Sequence, residues 1–171
     1  MSCDEKKDNK RDYDGCVCEV IRAVKDIQEH AVDEECPPCT SCFLEPLGEL
    51  SSKSRRKCAD TRVFMLITDD GTPFSAFYRD GDRRDHDCIS VYFRVEKIFH
   101  GCCATLRVLE PKDKEGKEVD LLSASGTKIK LSQLCKVHDF DSTDSCITVD
   151  LKCFCAVQCI KDVFLDVCDC G

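Results

Sequence analysis

Long apolar stretches are missing from this sequence. It contains no run of about 18 apolar residues, the length that a membrane-spanning helix requires. Its first fifteen residues, MSCDEKKDNKRDYDG, lack the apolar core of a secretory signal. We therefore expect no membrane partner, and we expect synthesis in the reducing cytosol, where disulfides are rare.

A clustered basic face is also missing. The formal net charge is −8 and the sequence pI is about 5.0. Nucleic-acid-binding domains concentrate Lys and Arg on one face and usually have a high pI. The only basic cluster here is the short stretch KSRRK at positions 53–57. We expect no nucleic-acid partner, and we interpret the acidic balance as favouring solubility of the free subunit.

Catalytic sequence motifs are absent as well. The sequence contains no G-x-S-x-G, H-E-x-x-H, G-x-G-x-x-G or phosphate-binding loop. Nothing pairs any of its four histidines, His30, His86, His100 and His138, with a particular cysteine. The sequence predicts a protein that is not an enzyme and has no cofactor. A thiol enzyme stays open as an alternative, and one unusually reactive cysteine would identify it.

Cysteine, by contrast, is abundant, with 17 residues in a chain of 171. A chain of this length buries roughly 70% of its unfolded surface, so it does not need disulfides in order to fold. Either the thiols bind metal, or they are oxidised later, after assembly or after the reducing compartment is lost. Because the number is odd, complete oxidation would require at least one bond between molecules.

The periodicity of apolar residues predicts the fold class. Residues 1–13 are almost all polar and predict a disordered arm. A helix is predicted at about 15–33, because apolar residues recur at helical spacing, with Asp14 as its N-cap. From Arg62 onward the pattern changes to short strands and turns. We expect a mainly β fold, an antiparallel β-sandwich or barrel with one N-terminal amphipathic helix, in a single domain at 14–162 followed by a tail at 163–171.

Several segments have specific predictions. The stretch TDDG at 68–71 predicts a tight turn between two strands. A hairpin is predicted between CISVYFRVEKIF at 88–99 and CCATLRVLEP at 102–111. A further strand is predicted in GTKIKLSQLCKV at 126–137. CITVDLKCFCAVQC at 146–159 resembles one strand, and if the strand continues, Cys153 and Cys155 share a face at about 6.5 to 7 Å, too far apart for a disulfide with each other.

The cysteines differ in what their positions predict. Cys153 and Cys155 also fit the alternative of small apolar core residues. Cys16 and Cys18 point in different directions on a helix, and the adjacent Cys102 and Cys103 point to opposite faces of a strand. Candidates for disulfides or cross-links are Cys3, Cys16, Cys18, Cys36, Cys39, Cys42, Cys102, Cys103, Cys146, Cys153, Cys155, Cys159, Cys168 and Cys170.

A metal site is the alternative use of these thiols. Cys36, Cys39 and Cys42 form C-x2-C-x2-C, and Cys58 could add a fourth ligand. A structural zinc site typically combines two separate C-x2-C pairs, and the sequence has no second one. We therefore expect no metal, and keep a metal-binding cysteine-rich module as the alternative function.

Five segments resemble the cysteine-rich spore coat and exosporium proteins of the CotY, CotZ and ExsY family. They are GCVCEVIRAV, EHAVDEECPPCTSC, FMLITDDGTPFSAF, CISVYFRVEKIFHGCCATLRVL and CITVDLKCFCAVQCI, in order over most of residues 14–162. The sequence departs from that pattern at GDRRDHD, at 112–120 and in the tail DVCDCG, so the surface contacts and the tail are not covered by the resemblance.

The resemblance implies a structural protein of the endospore outer layer, the crust or exosporium, made in the mother-cell cytoplasm. It implies self-assembly into hexamers and two-dimensional lattices that disulfides then cross-link. The implied partners are further copies of the chain and other spore coat or exosporium proteins.

Overall fold

The computed structural model describes residues 16–29, 47, 59–79 and 88–167. Helix α1 spans Cys16–Glu29. The strands are β1 (Thr61–Ile67), β2 (Ala76–Phe77), β3 (Ile89–Ser90), β4 (Phe93–Ile98), β5 (Cys103–Lys112), β6 (Asp139–Asp150) and β7 (Ala156–Val163), with a short helix α2 (Leu131–Leu134) before β6. The expected fold class, mainly antiparallel β with an N-terminal helix, is confirmed. The predicted arm, the part of the predicted helix beyond residue 29, and positions 168–171 of the predicted tail lie outside the described residues.

The larger sheet has five strands in the order β6-β5-β4-β1-β7, and all neighbours are antiparallel. The predicted hairpin joins β4 to β5, where Ile98 pairs with Ala104. A 3₁₀ turn at His100–Cys102 closes it, with positive φ angles at Gly101 (75°) and Cys102 (65°). This left-handed backbone suits glycine and is uncommon for cysteine.

Helix α1 packs on one face of the sheet because its apolar stripe is buried there. Val17, Cys18, Ile21 and Val24 all belong to the first core. Near its other end, Gln28 accepts a hydrogen bond from the backbone N–H of Arg62 at 3.1 Å. The same side chain donates to the carbonyl of Val95 at 3.4 Å. These contacts fix the helix across β1 and β4.

Side-chain alternation along the strands produces two cores, one on each face of the sheet. Phe64 and Leu66 of β1 face the helix, whereas Val63 and Met65 face the opposite core. The segment from Val119 to Leu134 covers that second face. No helix within the described ranges is long and apolar enough to span a membrane.

A buried ion pair joins β1 to the edge strand β7. The guanidinium of Arg62 donates to both carboxylate oxygens of Asp162 at 2.8 Å, and both side chains are fully buried. Bidentate geometry of this kind is the strongest form of a charged hydrogen bond in proteins. It fixes the register at the start of the sheet.

The turn at 68–72 is held by one carboxylate. Asp70 accepts hydrogen bonds from the hydroxyls of Thr68 and Thr72 and from the backbone N–H of Thr72. These bonds lower the pKa of Asp70 from 3.8 to about 2, with the Thr68 hydroxyl as the largest cause. The two arms share only one bridge, Ile67 with Pro73, after which β2 pairs with β3 in a separate two-stranded sheet.

Three strand predictions need correction. The stretch 88–99 is two strands, because the N–H of Tyr92 bonds to the hydroxyl of Ser90 and breaks the alternation. The stretch 126–137 contains only an isolated bridge at Ile129 and then α2, where the spacing of Leu134 and Val137 places both against the second core. The stretch 146–159 is also two strands, for the reason given in the next section.

Candidate cross-linking cysteines

Two cysteines are joined inside the domain. Cys18 of α1 and Cys102 of the β4–β5 turn form a disulfide with their Cα atoms 5.9 Å apart. Both are fully buried in the first core. The bond connects positions separated by 84 residues and attaches the first turn of the helix to the sheet.

Their neighbours in the sequence are more exposed, as helix geometry predicts for Cys16; Cys102 lies in the 3₁₀ turn that precedes β5, and not on a strand as predicted. Cys16, two positions before Cys18, is exposed. Cys103, adjacent to Cys102, is half-buried at the start of β5 and pairs with Asp150. Neither forms a disulfide with another described residue.

The cysteine-rich stretch at 146–159 is interrupted by a 3₁₀ turn at Leu151–Cys153. The carboxylate of Asp150 accepts a hydrogen bond from the N–H of Lys152 at 2.9 Å, and this local bond ends β6. Cys153 and Cys155 are both exposed. The interpretation of these two cysteines as core residues, and their common strand face, are therefore wrong.

The remaining cysteines of this stretch lie on the edge strands. Cys146 is exposed on β6, opposite Arg107 of β5. Cys159 of β7 pairs with Phe64, packs against the first core and is itself disulfide-bonded.

Two described cysteines were not among the predicted candidates. Cys88 is half-buried just before β3, and Cys135 is exposed just after α2. Burial raises the pKa of the Tyr92 phenol to about 12, and the nearby Cys135 adds a smaller effect in the same direction. Both stood in predicted strands, Cys88 at the start of 88–99 and Cys135 near the end of 126–137, and nothing in those patterns set them apart as candidates.

The other candidates cannot be placed. Cys3, Cys36, Cys39, Cys42, Cys168 and Cys170 lie outside the described residues, as does Cys58. The C-x2-C-x2-C segment therefore stays an untested prediction. Among the residues that the structure does describe, no three His, Cys, Asp or Glu side chains are grouped so that they could hold a metal ion.

An open groove lies between α1 and the end of β4, with a volume of about 810 Å³. Its walls carry both charge signs, with Arg22 and Asp26 on the helix and Glu96 and Lys97 on the strand. Phe99 at its rim is 43% exposed, and the ammonium of Lys97 lies 5.3 Å from the centre of its ring.

A β domain with a buried disulfide between Cys18 and Cys102 and with further thiols at its surface has the features of a cysteine-rich structural protein. Sequence comparison identifies the family: the chain belongs to the Spore coat protein Z family, whose model matches residues 1–162. Spore coat protein Z of Bacillus subtilis (strain 168) is 35% identical over 147 residues, which cover 85% of this chain and 88% of that protein. A search of solved structures found no match.

The expected resemblance is thus confirmed at the level of the family. Membership supports a structural role in the spore coat and a location in the outer layers of the spore. Membership also favours a role other than catalysis.

Proposed function

We propose that this protein builds the crust or exosporium of the endospore by self-assembly into hexamers and two-dimensional lattices that disulfides between chains then cross-link. The other components of the layer are its further partners. On this proposal the protein is not an enzyme, and the chain is made in the mother-cell cytoplasm and oxidised after assembly.

The observation that carries the proposal is the separation of the described cysteines by burial. Cys18 and Cys102, which are fully buried, are bonded to each other, whereas thiols such as Cys16, Cys135 and Cys155 are exposed. Exposed thiols can meet only thiols of other molecules once the domain has folded, unless a part of the same chain reaches them. The odd total of 17 requires such an outside partner for complete oxidation.

Noncovalent contacts set the order first on this proposal. Head-to-tail contacts between copies form a ring when their successive rotations add up to a full turn. A second kind of contact, which does not close on itself, then joins the rings into a sheet. The edge strand β6 carries negative charge at Asp141, Asp144 and Asp150. This charge opposes uncontrolled pairing of a strand from another molecule with β6. Ordered contacts rather than β-aggregation are therefore favoured.

Disulfides between chains change the nature of the stability. A noncovalent lattice dissociates according to an equilibrium, whereas a cross-linked one comes apart only when bonds are reduced. Its persistence is then a matter of rate. A layer around a dormant cell needs that property.

Expression in a reducing cytosol followed by electron microscopy tests the proposal. We expect ordered arrays in the presence of reductant, and after oxidation we expect arrays that resist heat and denaturant and ladders on non-reducing gels. Arrays that form in neither condition would refute self-assembly. Arrays that form but never resist heat and denaturant after oxidation would refute the cross-linking step and leave self-assembly intact.

A further inference from the structure

The side-chain amide of Gln28 stands between two neighbouring strands of the sheet. Strands β1 and β4 pair at Phe64 and Phe93. Two residues further along each strand, the same antiparallel register leads to Arg62 and Val95, where a regular ladder joins N–H to C=O directly. Here the N–H of Arg62 donates to the Gln28 side chain at 3.1 Å, and that side chain donates to the carbonyl of Val95 at 3.4 Å. The Gln28 amide therefore takes the place of a hydrogen bond between the strands.

The buried disulfide lies near the opposite end of the same helix. Gln28 follows Cys18 by ten positions, which corresponds to about 15 Å along the helix axis. Helix α1 is thus held near one end by the bond to Cys102 and near the other by Gln28, with Ile21 and Val24 fully buried between them. Before oxidation the covalent attachment does not exist, so the apolar stripe and the Gln28 contacts hold the helix on the sheet.

Oxidation of this pair requires an opening in the folded domain. Both Cys18 and Cys102 are fully buried in the first core. A small disulfide must reach a thiolate before exchange can occur, and buried thiols are inert. In a reduced chain that has already folded, part of the structure must therefore move away from these two sulfur atoms.

Helix α1 is the element that moves at the lower cost. The turn that carries Cys102 is held by backbone bonds: the N–H of Phe99 donates to the carbonyl of Cys103 at 2.7 Å, and the paired strands β4 and β5 continue from it. An α-helix bonds its backbone groups internally, so its departure breaks no ladder between strands. Elements that are held on a domain by side chains open locally without unfolding of the whole.

We infer that α1 is a redox-dependent gate over Cys18 and Cys102, and that Gln28 sets how often this gate opens in the reduced protein. Opening admits the oxidant to the two sulfur atoms, and formation of the bond then locks the helix in place. The step takes place within one chain. It goes beyond the proposed function, and it holds or fails whether or not copies assemble.

A low-molecular-weight disulfide is the oxidant. In the open state one of the two thiolates attacks it, forms a mixed disulfide and releases a small thiol. The other thiolate then attacks the mixed disulfide and releases the second small thiol. Two protein thiols lose two protons and two electrons, and one small disulfide becomes two thiols. The return of α1 brings the Cα atoms of Cys18 and Cys102 to the 5.9 Å separation of the bonded state.

Truncation of the Gln28 side chain tests the inference. Full-length Gln28→Ala is purified in reductant, transferred to buffer without reductant under nitrogen, and compared with wild type and with Glu19→Ala, which changes an exposed residue of the same helix. Mass spectrometry measures the rate at which iodoacetamide alkylates Cys18. Amide exchange at Leu106, which is fully buried in β5, reports global unfolding.

We expect Gln28→Ala to raise the alkylation rate of Cys18 by about 10- to 100-fold, because buried backbone groups lose their partner when the side chain is removed. Exchange at Leu106 should change far less. Glu19→Ala should raise the alkylation rate by less than about fivefold. In oxidised glutathione, the peptide pair linked through Cys18 and Cys102 should form faster in Gln28→Ala by a similar factor.

An alkylation rate equal to that of wild type would overturn the inference, as would a rate that rises only in step with exchange at Leu106. If Gln28→Ala does not fold, Gln28→Glu replaces it, because its carboxylate accepts from Arg62 and cannot donate to Val95. The same increases are then expected, and the same two results would overturn the inference. Neither result bears on the proposed assembly, because no contact between copies is measured.

Discussion

Removal of the disulfide between Cys18 and Cys102 should destabilise the domain by several kcal/mol. The bond closes a loop of 84 residues, for which the chain-entropy relation gives about 4.5 kcal/mol at 25 °C, and measured values are usually about 2–4 kcal/mol. Replacing each sulfur by hydrogen in Cys18→Ala and Cys102→Ala adds about 1 kcal/mol for lost packing in the core. We therefore expect a loss of roughly 3–5 kcal/mol in the free energy of unfolding.

Urea unfolding followed by circular dichroism measures this loss. Exposed thiols are first alkylated on the folded protein, so that bonds between molecules do not contribute. Each single variant already breaks the bond, so both singles and the double variant should lose similar amounts, and the double-mutant cycle should be strongly non-additive. The thermal midpoint should fall by about 2–4 °C per kcal/mol in a chain of this size. Additive effects, or a loss below about 1 kcal/mol in the double variant, would refute the structural role of this bond.

Two further predictions concern charged groups. Asp162→Ala should cost about 3–5 kcal/mol in urea unfolding, because it leaves the guanidinium of Arg62 buried without its carboxylate. The control Lys117→Ala, which breaks an exposed pair with Glu115, should cost less than about 1 kcal/mol, and equal effects would contradict the argument. The carboxyl of Asp70 should titrate at about 2 in an NMR titration, because hydrogen bonds from Thr68 and Thr72 favour its charged form. Its stabilising contribution is then complete above pH 4 and is lost as the pH falls from 4 to 2, whereas a midpoint near 3.8 would contradict these hydrogen bonds.

Sequence patterns predicted the elements whose signals are local. The stripe from Val17 to Val24 identified α1, and the alternation on both sides of Gly101 identified the β4–β5 hairpin. The break at 151–153 was missed because it depends on one bond from Lys152 to the Asp150 side chain, which competes with the strand. The pattern of apolar residues does not reveal a local bond of this kind between a side chain and the backbone.

Long-range partners could not be predicted, because sequence spacing does not give them. The bond from Cys18 to Cys102 and the ion pair from Arg62 to Asp162 each connect positions far apart in the chain. Their residues also have close alternatives in the sequence, such as Cys16 beside Cys18 and Cys103 beside Cys102. Helix and strand geometry predicted that only one of each pair could face the core, but not which one.

That geometric choice is what allows one residue type to serve two purposes. At both positions, a neighbouring pair of cysteines places one sulfur inside and the other nearer the surface, because the two side chains point in different directions. The inner sulfurs lose access to solvent on folding, so small oxidants and reductants in solution reach them slowly. The outer ones keep that access. On the proposed function, oxidation after assembly would therefore join neighbouring copies through the outer sulfurs, whereas the two inner sulfurs can bond only to each other.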